Sequence, residues 1–235
     1  MPPRLERFSN LTKLRLISKI IKRIVVTFFV TTILAVVALR FIPVYYTPLM
    51  FIRLAQMEKP KLSHHWVPLR KMSTQMPLAV IASEDQRFME HHGFDFEAIK
   101  AAVERNRKQP EKNRLGGSTI SQQTAKNVFL WPGRSWVRKG LEAYFTVLIE
   151  LCWPKERIME VYLNSIETGP GIYGVEAVAQ EHFGTTAANL NGDQCALIAA
   201  SLPNPRRFSS ASPSNYMQKR QQHIRRQMHN VSFEP

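Results

Sequence analysis

The sequence predicts a mainly α protein preceded by one N-terminal transmembrane helix, on three observations. An apolar run of bilayer length, Ile24–Val44, follows a basic tail. Beyond it, apolar residues recur with the 3.6-residue period of helices, and alternating strand patterns are scarce. Glycine and proline punctuate those segments at Gly93, Gly116-Gly117, Pro132-Gly133, Pro154, Gly169 to Gly171 and Pro203. Composition agrees: 235 residues, 44% apolar and with 10 glycines, exclude disorder and collagen-like repeats. Two cysteines, Cys152 and Cys195, exclude a disulfide framework or an all-thiolate zinc site. Both sit on apolar helical stretches and read as buried thiols, with one disulfide still open to them in an oxidising compartment.

Residues 1–23 form a basic tail in which Arg4, Arg7, Lys13, Arg15, Lys19, Lys22 and Arg23 face a single Glu6. Residues 24–44 follow as the anchor, spanning about 30 Å as a helix. Arg40 is its one charge and can snorkel to the headgroups, and Tyr45 and Tyr46 stand where an aromatic belt belongs. The positive-inside rule holds the tail in the cytoplasm and exports everything after residue 44. A cleaved signal peptide would have a shorter apolar region ending in a small-x-small site; Ala38-Leu39-Arg40 is a poor one, so the anchor is expected to stay. The formal net charge of +14 is not confined to the tail, so an anionic partner is expected. Export disfavours nucleic acid. Phospholipid or a diphosphate-bearing substrate fits better.

Residues 45–74 read as a membrane-proximal connector with Pro48, Pro60 and Pro68, in which Leu49–Leu54 is apolar enough to graze the interface. The domain of residues 75–230 follows, with helices expected at about 77–91, 96–107, 119–129, 136–151, 155–165, 171–182 and 192–202. The polar, basic stretch Arg105–Arg114 is expected to be mobile without substrate.

Four segments carry the chemistry. In Ala79–Asp95, a helix would place Ile81, Glu84 and Phe88 on one face. A carboxylate on such an apolar stripe is partly desolvated, which suits a general acid or base, with Arg87 one turn on to hold an anion. The same spacing also fits a solvated bridge from Glu84 to Arg87. In Gly116–Asn127, two glycines precede a Thr119/Gln122 capping-box pattern, and the helix start is a ready anion site with Lys126 one turn beyond Gln122. An ordinary capped helix reads the same way. The GxxxxGK[ST] spacing is missing, which argues against ATP chemistry.

In Arg134–Glu150, Val137, Leu141, Phe145 and Leu148 form an apolar stripe beside Arg134, Arg138 and Glu142. Alone this is a salt-bridged surface row. Together with Lys126 and Arg87 it would gather four cations and two carboxylates, which suits a leaving diphosphate and glycosyl chemistry. Lys155–Asn164 reads as scaffolding, with Ile158, Val161 and Tyr162 facing the core. His64-His65 and His91-His92 lack a third ligand at helical spacing, so no metal ligand is assigned.

The ordered motifs Glu84-Asp85-x-x-Phe88-x-x-His91-x-Gly93-x-Asp95, Gly117-Ser118-Thr119-Ile120-Ser121-Gln122-Gln123-x-x-Lys126-Asn127, Arg138-Lys139-x-x-Glu142 and Lys155-x-x-Ile158-x-Glu160-x-Tyr162-Leu163-Asn164 carry a resemblance. Over about residues 45–228 the sequence resembles the family 51 peptidoglycan glycosyltransferases, the transglycosylase module of class A penicillin-binding proteins, here in stand-alone form. The resemblance implies a lysozyme-like helical lobe plus a smaller membrane-proximal jaw lobe. It implies polymerisation of lipid II into β-1,4-linked glycan with release of undecaprenyl diphosphate, at the bacterial inner membrane and outside the cytoplasm.

By match of position, Glu84 would deprotonate the acceptor hydroxyl, and Glu142 would orient the diphosphate through a divalent cation, magnesium or manganese, or through adjacent bases. Arg87, Lys126, Arg134, Arg138 and Lys139 would gather the diphosphate, while Ser118, Thr119, Gln122 and Gln123 shape the cleft. Partners would be lipid II, the growing polyprenyl-diphosphate glycan, membrane phospholipid and other wall-synthesis or division proteins. Ser121 departs from the commoner Thr, and Leu141 stands where some relatives carry Lys. The family's last motif, an arginine pair, is blurred in Lys219–Met228: Arg220 or Arg225-Arg226 could represent it. Two other readings stand beside this one. A lysozyme-type hydrolase would need no cations for a neutral polysaccharide, and a non-catalytic anchored scaffold would need neither carboxylate.

Overall fold

The computed structural model describes residues 3–108, 116–133 and 135–234. The chain divides into two units, Met1–Ile42 and Pro43–Pro235.

The first unit is one long helix, α1 (Pro3–Leu39). Its stretch Arg15–Leu39 contains an 18-residue window with a mean hydropathy of 2.2 and is long and apolar enough to cross a membrane. Thr31 and Thr32 do not present bare hydroxyls, because each donates to a carbonyl one turn back, Thr27 O and Phe28 O, at 2.8 Å. The helix runs back past the expected start at Ile24 and stops at Leu39 rather than Val44. Pro43 is the reason for that end: it disfavours helical backbone at Ile42, and the chain leaves in a turn closed by Ala38 O.

The second unit contains α2 (Pro48–Ala55), α3 (Gln75–Glu84), α4 (Phe96–Lys108), α5 (Ile120–Phe129), α6 (Trp136–Cys152), α7 (Lys155–Ser165), α8 (Val175–Phe183), α9 (Gly192–Ser201) and α10 (Asn215–Gln227). A small sheet of order β1–β3–β2 joins them, with β1 (Ser63–His64) parallel and β2 (Glu167–Gly169) antiparallel to β3 (Ile172–Tyr173). The helix expected at 171–182 therefore begins only at Val175. Ile172 and Tyr173 belong to the sheet, and Gly174 turns out of it with φ +80°. Helix α2, inside the expected connector, starts from a Thr47 cap with Pro48 in its first turn.

α3 is buried on most sides, with Met76, Ala79, Val80 and Ile81 at most 1% exposed. It packs against α9 and α10, while α5 packs against α6 and α7. Met159, Val161, Tyr162 and Leu163 of α7, with Val178 and Ile198, fill the centre. Truncating such a side chain to Ala costs about 2–5 kcal/mol. The Lys155–Asn164 segment is a clamp as well as core: the Asn164 amide exchanges hydrogen bonds with both backbone groups of Val67 at 2.9 Å, and Glu160 accepts from Leu69 N–H at 2.8 Å. These contacts fix the chain between β1 and α3. Cys152 and Cys195 form no disulfide with each other, and burial pushes the Cys195 thiol up to about 12.

One difference from the expected pattern bears directly on function. The first chemical motif is not a continuous helix to residue 91; α3 ends at Glu84, and Asp85 leaves helical geometry with φ −161° and ψ 75°. Helix propagation loses to a tertiary bond, because the Asp85 carboxylate accepts from the Ile120 N–H at the start of α5 at 2.9 Å. Phe88 is still fully buried, but from the turn that follows rather than from a helical stripe.

Candidate active site

Glu84 ends α3 with its carboxylate among polar groups rather than on an apolar stripe. Ser83 Oγ donates to Oε1 at 3.2 Å and Gln123 Nε2 donates to Oε2 at 3.1 Å. Gln123 Oε1 in turn accepts from Tyr162 O–H at 3.2 Å. Burial, then the charges of Glu84 and Asp85, hold the Tyr162 phenol well above its ordinary range, so it stays neutral and donates.

Behind Glu84 stands a second carboxylate. Both Asp85 oxygens lie near His91 Nε2, at 2.9 and 3.0 Å, and His91 Nδ1 accepts from the Gly93 N–H at 3.1 Å. Those bonds assign the ring proton to Nε2, directed at Asp85. Gly93 has φ +92°, and a Cβ there would fall 2.8 Å from Thr146 Cγ2, so glycine is required twice over. Lys155 Nζ completes this floor by donating to His91 O at 2.6 Å and Glu150 Oε1 at 2.8 Å.

α5 opens on the foreseen capping box. Thr119 Oγ1 accepts from Gln122 N–H at 3.2 Å, Gln122 Oε1 accepts from Thr119 N–H at 3.0 Å, and the Thr119 hydroxyl donates to Gly93 O at 2.7 Å. Thr119 is therefore engaged in holding the helix start. Lys126, on the last turn, is largely buried. Desolvation first, then the cations Arg138, Lys139 and Arg53, lowers its amine below the ordinary value against the pull of Glu142. Among the described residues its amine has no hydrogen-bond partner.

α6 starts from a Ser135 cap that accepts from Arg138 N–H at 3.1 Å. Arg138 Nη1 donates to Glu142 Oε2 at 2.7 Å, and Lys139 Nζ donates to Glu142 Oε1 and lies 3.5 Å from Ser118 Oγ. Glu142 and Arg138 are buried, while Lys139 reaches solvent. Arg138 Nε is buried without a hydrogen-bond partner among the described residues. Both oxygens of Glu142 are thus occupied by cations. Among the described residues no three His, Cys, Asp or Glu side chains gather to hold a metal ion.

Two cavities meet here. One, of about 430 Å³, is lined by Glu84, Arg87, Asp95 and Glu97 and by the chain from Gly116 to Thr119. The other, of about 560 Å³, is lined by Gln122, Gln123, Lys126, Arg138, Lys139 and Glu142. Gly116 and Ser118 border both. Lys126, Arg138, Lys139 and Glu142 are therefore brought together as expected. Arg87 is not with them: it lines the first cavity and is held there by Glu90 at 2.9 Å, Asp95 at 3.5 Å and Glu97. Arg134 and most of the basic stretch after Lys108 (residues 109–115) lie outside the described residues.

Sequence reading missed part of this site. Arg53 of α2 lines the cation-rich cavity and lies 3.8 Å from Glu167, whose carboxyl is pushed up by burial against the pull of Arg53 and Arg206. The polar partner Ser83 went unseen too, although it adjoins Glu84. Tyr162 was seen only as core, and its motif gives no sign that the phenol reaches Gln123.

A helical domain that sets carboxylates beside one cavity and four cations, Arg53, Lys126, Arg138 and Lys139, around the next is suited to an anionic substrate. The transglycosylase family model matches residues 53–229, and the chain belongs to that family. Its domain has the lysozyme-like helical fold of that family. Over 214 residues it is 61% identical to the biosynthetic peptidoglycan transglycosylase of Bacteroides thetaiotaomicron, covering 89% of this chain and 86% of the relative. The enzyme of that name from Bdellovibrio bacteriovorus is 55% identical over 210 residues, 88% of this chain and 83% of the relative. That from Caulobacter vibrioides is 51% identical over 214 residues, 89% and 92% respectively.

Proposed function

We propose that this peptidoglycan glycosyltransferase polymerises lipid II with Glu84 as base, the acceptor sugar entering the cavity that Glu84 lines and the donor diphosphate the cation-rich one. The acceptor 4-hydroxyl attacks the anomeric carbon of the donor as its proton passes to a Glu84 oxygen. The bond from that carbon to the phosphate oxygen breaks, undecaprenyl diphosphate leaves, and the α linkage becomes β-1,4. Lys126, Arg138 and Lys139 stabilise the charge that develops on the leaving group. Glu142 spaces and neutralises two of those cations, so that they present a fixed cradle before the donor arrives. No step is assigned to a divalent cation.

The single observation that carries this reading is that Glu84 lines the first cavity and is bonded to Gln123, which lines the second. The basic residues ahead of the apolar run that opens at Ile24 support a cytoplasmic N-terminus and an extracytoplasmic domain. The chemistry of the donor supports contact with bilayer phospholipid. Purified full-length protein with labelled lipid II in detergent is expected to form glycan polymer, and Glu84→Gln to form almost none. Polymer from Glu84→Gln at the parent's rate would remove Glu84 from the reaction, and release of soluble muropeptides from cell wall would make the enzyme a hydrolase.

A further inference from the structure

α10 carries a cation on the face it turns to the core. Met217 and Ile224 are each 1% exposed, and Arg220 lies between them at i+3 on the same stripe. Packing alone would favour an apolar residue there. Instead the guanidinium crosses to α3: Arg220 Nη2 donates to Ser83 Oγ at 3.1 Å and lies 3.8 Å from Glu84 Oε1. Its Nε is buried and makes no hydrogen bond among the described residues. Ser83 accepts from Arg220 and holds one proton, which goes to Glu84 Oε1 at 3.2 Å in preference to Ala199 O at 3.4 Å. The other candidate arginine points elsewhere. Arg225 Nε donates to Asp193 at 3.0 Å, and its guanidinium lies so close to Gly192 that a Cβ there would fall 2.3 Å from Nη1.

We propose that Arg220 is a positioning residue for the transfer reaction, aiming the Glu84 carboxylate through Ser83 and balancing its negative charge before the acceptor hydroxyl arrives. This rests on the reading of Glu84 as the base. Among the described residues, the groups facing Glu84 from the packed elements leave Arg220 as its direct counter-charge. α5 contributes the uncharged Gln123, α7 the neutral Tyr162 and α9 a backbone carbonyl at Ala199. Asp85 directs its charge at His91 and Ile120, Arg87 across the same cavity is held by Glu90, Asp95 and Glu97, and His229 in the turn packed on α3 is exposed.

The test is the kinetics of lipid II polymerisation by the full-length protein, beside a thermal melt. Arg220→Met is expected to lower kcat about tenfold and leave KM within about twofold, with folding intact. Arg220→Lys, which keeps the cation, is expected to restore most of the parent kcat. A merely structural arginine would not need its charge, so a parent kcat in Arg220→Met, or an Arg220→Lys as slow as Arg220→Met, overturns the proposal. A rise in KM alone does so as well, since Arg220 would then bind substrate. Should Arg220→Met fail to fold, Ser83→Ala takes its place, with a smaller loss of kcat at unchanged KM expected and a parent kcat overturning the idea. Glu84→Gln, run alongside, separates the two claims: if it polymerises like the parent, the base itself is misassigned, whatever Arg220 does.

Discussion

Gln123 Nε2 donates to Glu84 Oε2 at 3.1 Å, and the two side chains, bonded to each other, line different cavities. In the proposed reaction the bond makes the amide a spacer between the base and the diphosphate cradle, with Tyr162 fixing its orientation from behind. Gln123→Ala is therefore expected to lower kcat by about 10–100-fold with little loss of stability. Polymerisation kinetics beside a thermal melt decide it: parent kcat with intact folding would end the spacer role.

Lys126 links activity and stability with opposite signs. Its amine lies below the ordinary value because of burial, so between the lowered pKa and the ordinary one the unfolded chain binds the proton more readily. Its destabilising contribution is fully present below the lowered pKa, and stability from this group rises with pH across that window. On the proposed role of Lys126, the cation that would grip the diphosphate is lost over the same window, so donor KM should climb there. Lys126→Met is expected to cut activity by about 100-fold or more while raising Tm by about 2–4 °C, the equivalent of about 1 kcal/mol. A lowered Tm would mean that the ammonium is a structural partner instead.

Glu142 separates two cations, one of them buried. Removing a buried pair's partner leaves a charge uncompensated, so Glu142→Gln should cost about 3 kcal/mol, with the exposure of Lys139 keeping it at the lower end. Denaturant unfolding measures this. Pyrophosphate should stabilise Glu142→Gln more than it stabilises the parent, because the anion would replace the missing charge.

Asp85 holds the start of α5 in place for Glu84. Asp85→Ala leaves the Ile120 N–H buried and unpaired, a loss of about 1–3 kcal/mol. Asp85→Asn keeps an acceptor and should lose less. Equal melting temperatures for the two variants would show that the bond to Ile120 carries no stability.

Gly93→Ala is expected to destabilise more than a typical surface substitution, by about 2 kcal/mol or more, since both the positive φ and the closeness of Thr146 oppose a side chain. A melt within about 1 °C of the parent would refute that.

Much of this was legible in the chain itself. The Thr119/Gln122 cap, the i,i+3 and i,i+4 spacing of Arg138, Lys139 and Glu142, and the apolar run behind the basic tail are local patterns, and local physics decides them. They were enough to place the helices of the site and the family. The end of α3 was not legible. Periodicity carries the helix on through Phe88, and only a hydrogen bond to a residue far along the chain, Ile120, stops it at Glu84.

The sequence by itself determined the helical class, an N-terminal helix long and apolar enough to cross a membrane, and the residue types suited to an anion, because those follow from period, length and charge within short windows. Only the tertiary structure decided that Arg87 serves a different cavity from Lys126, and that Arg220 rather than Arg225 reaches Glu84. Distances between side chains on separate helices depend on how those helices cross in the packed core, which no spacing along the chain encodes.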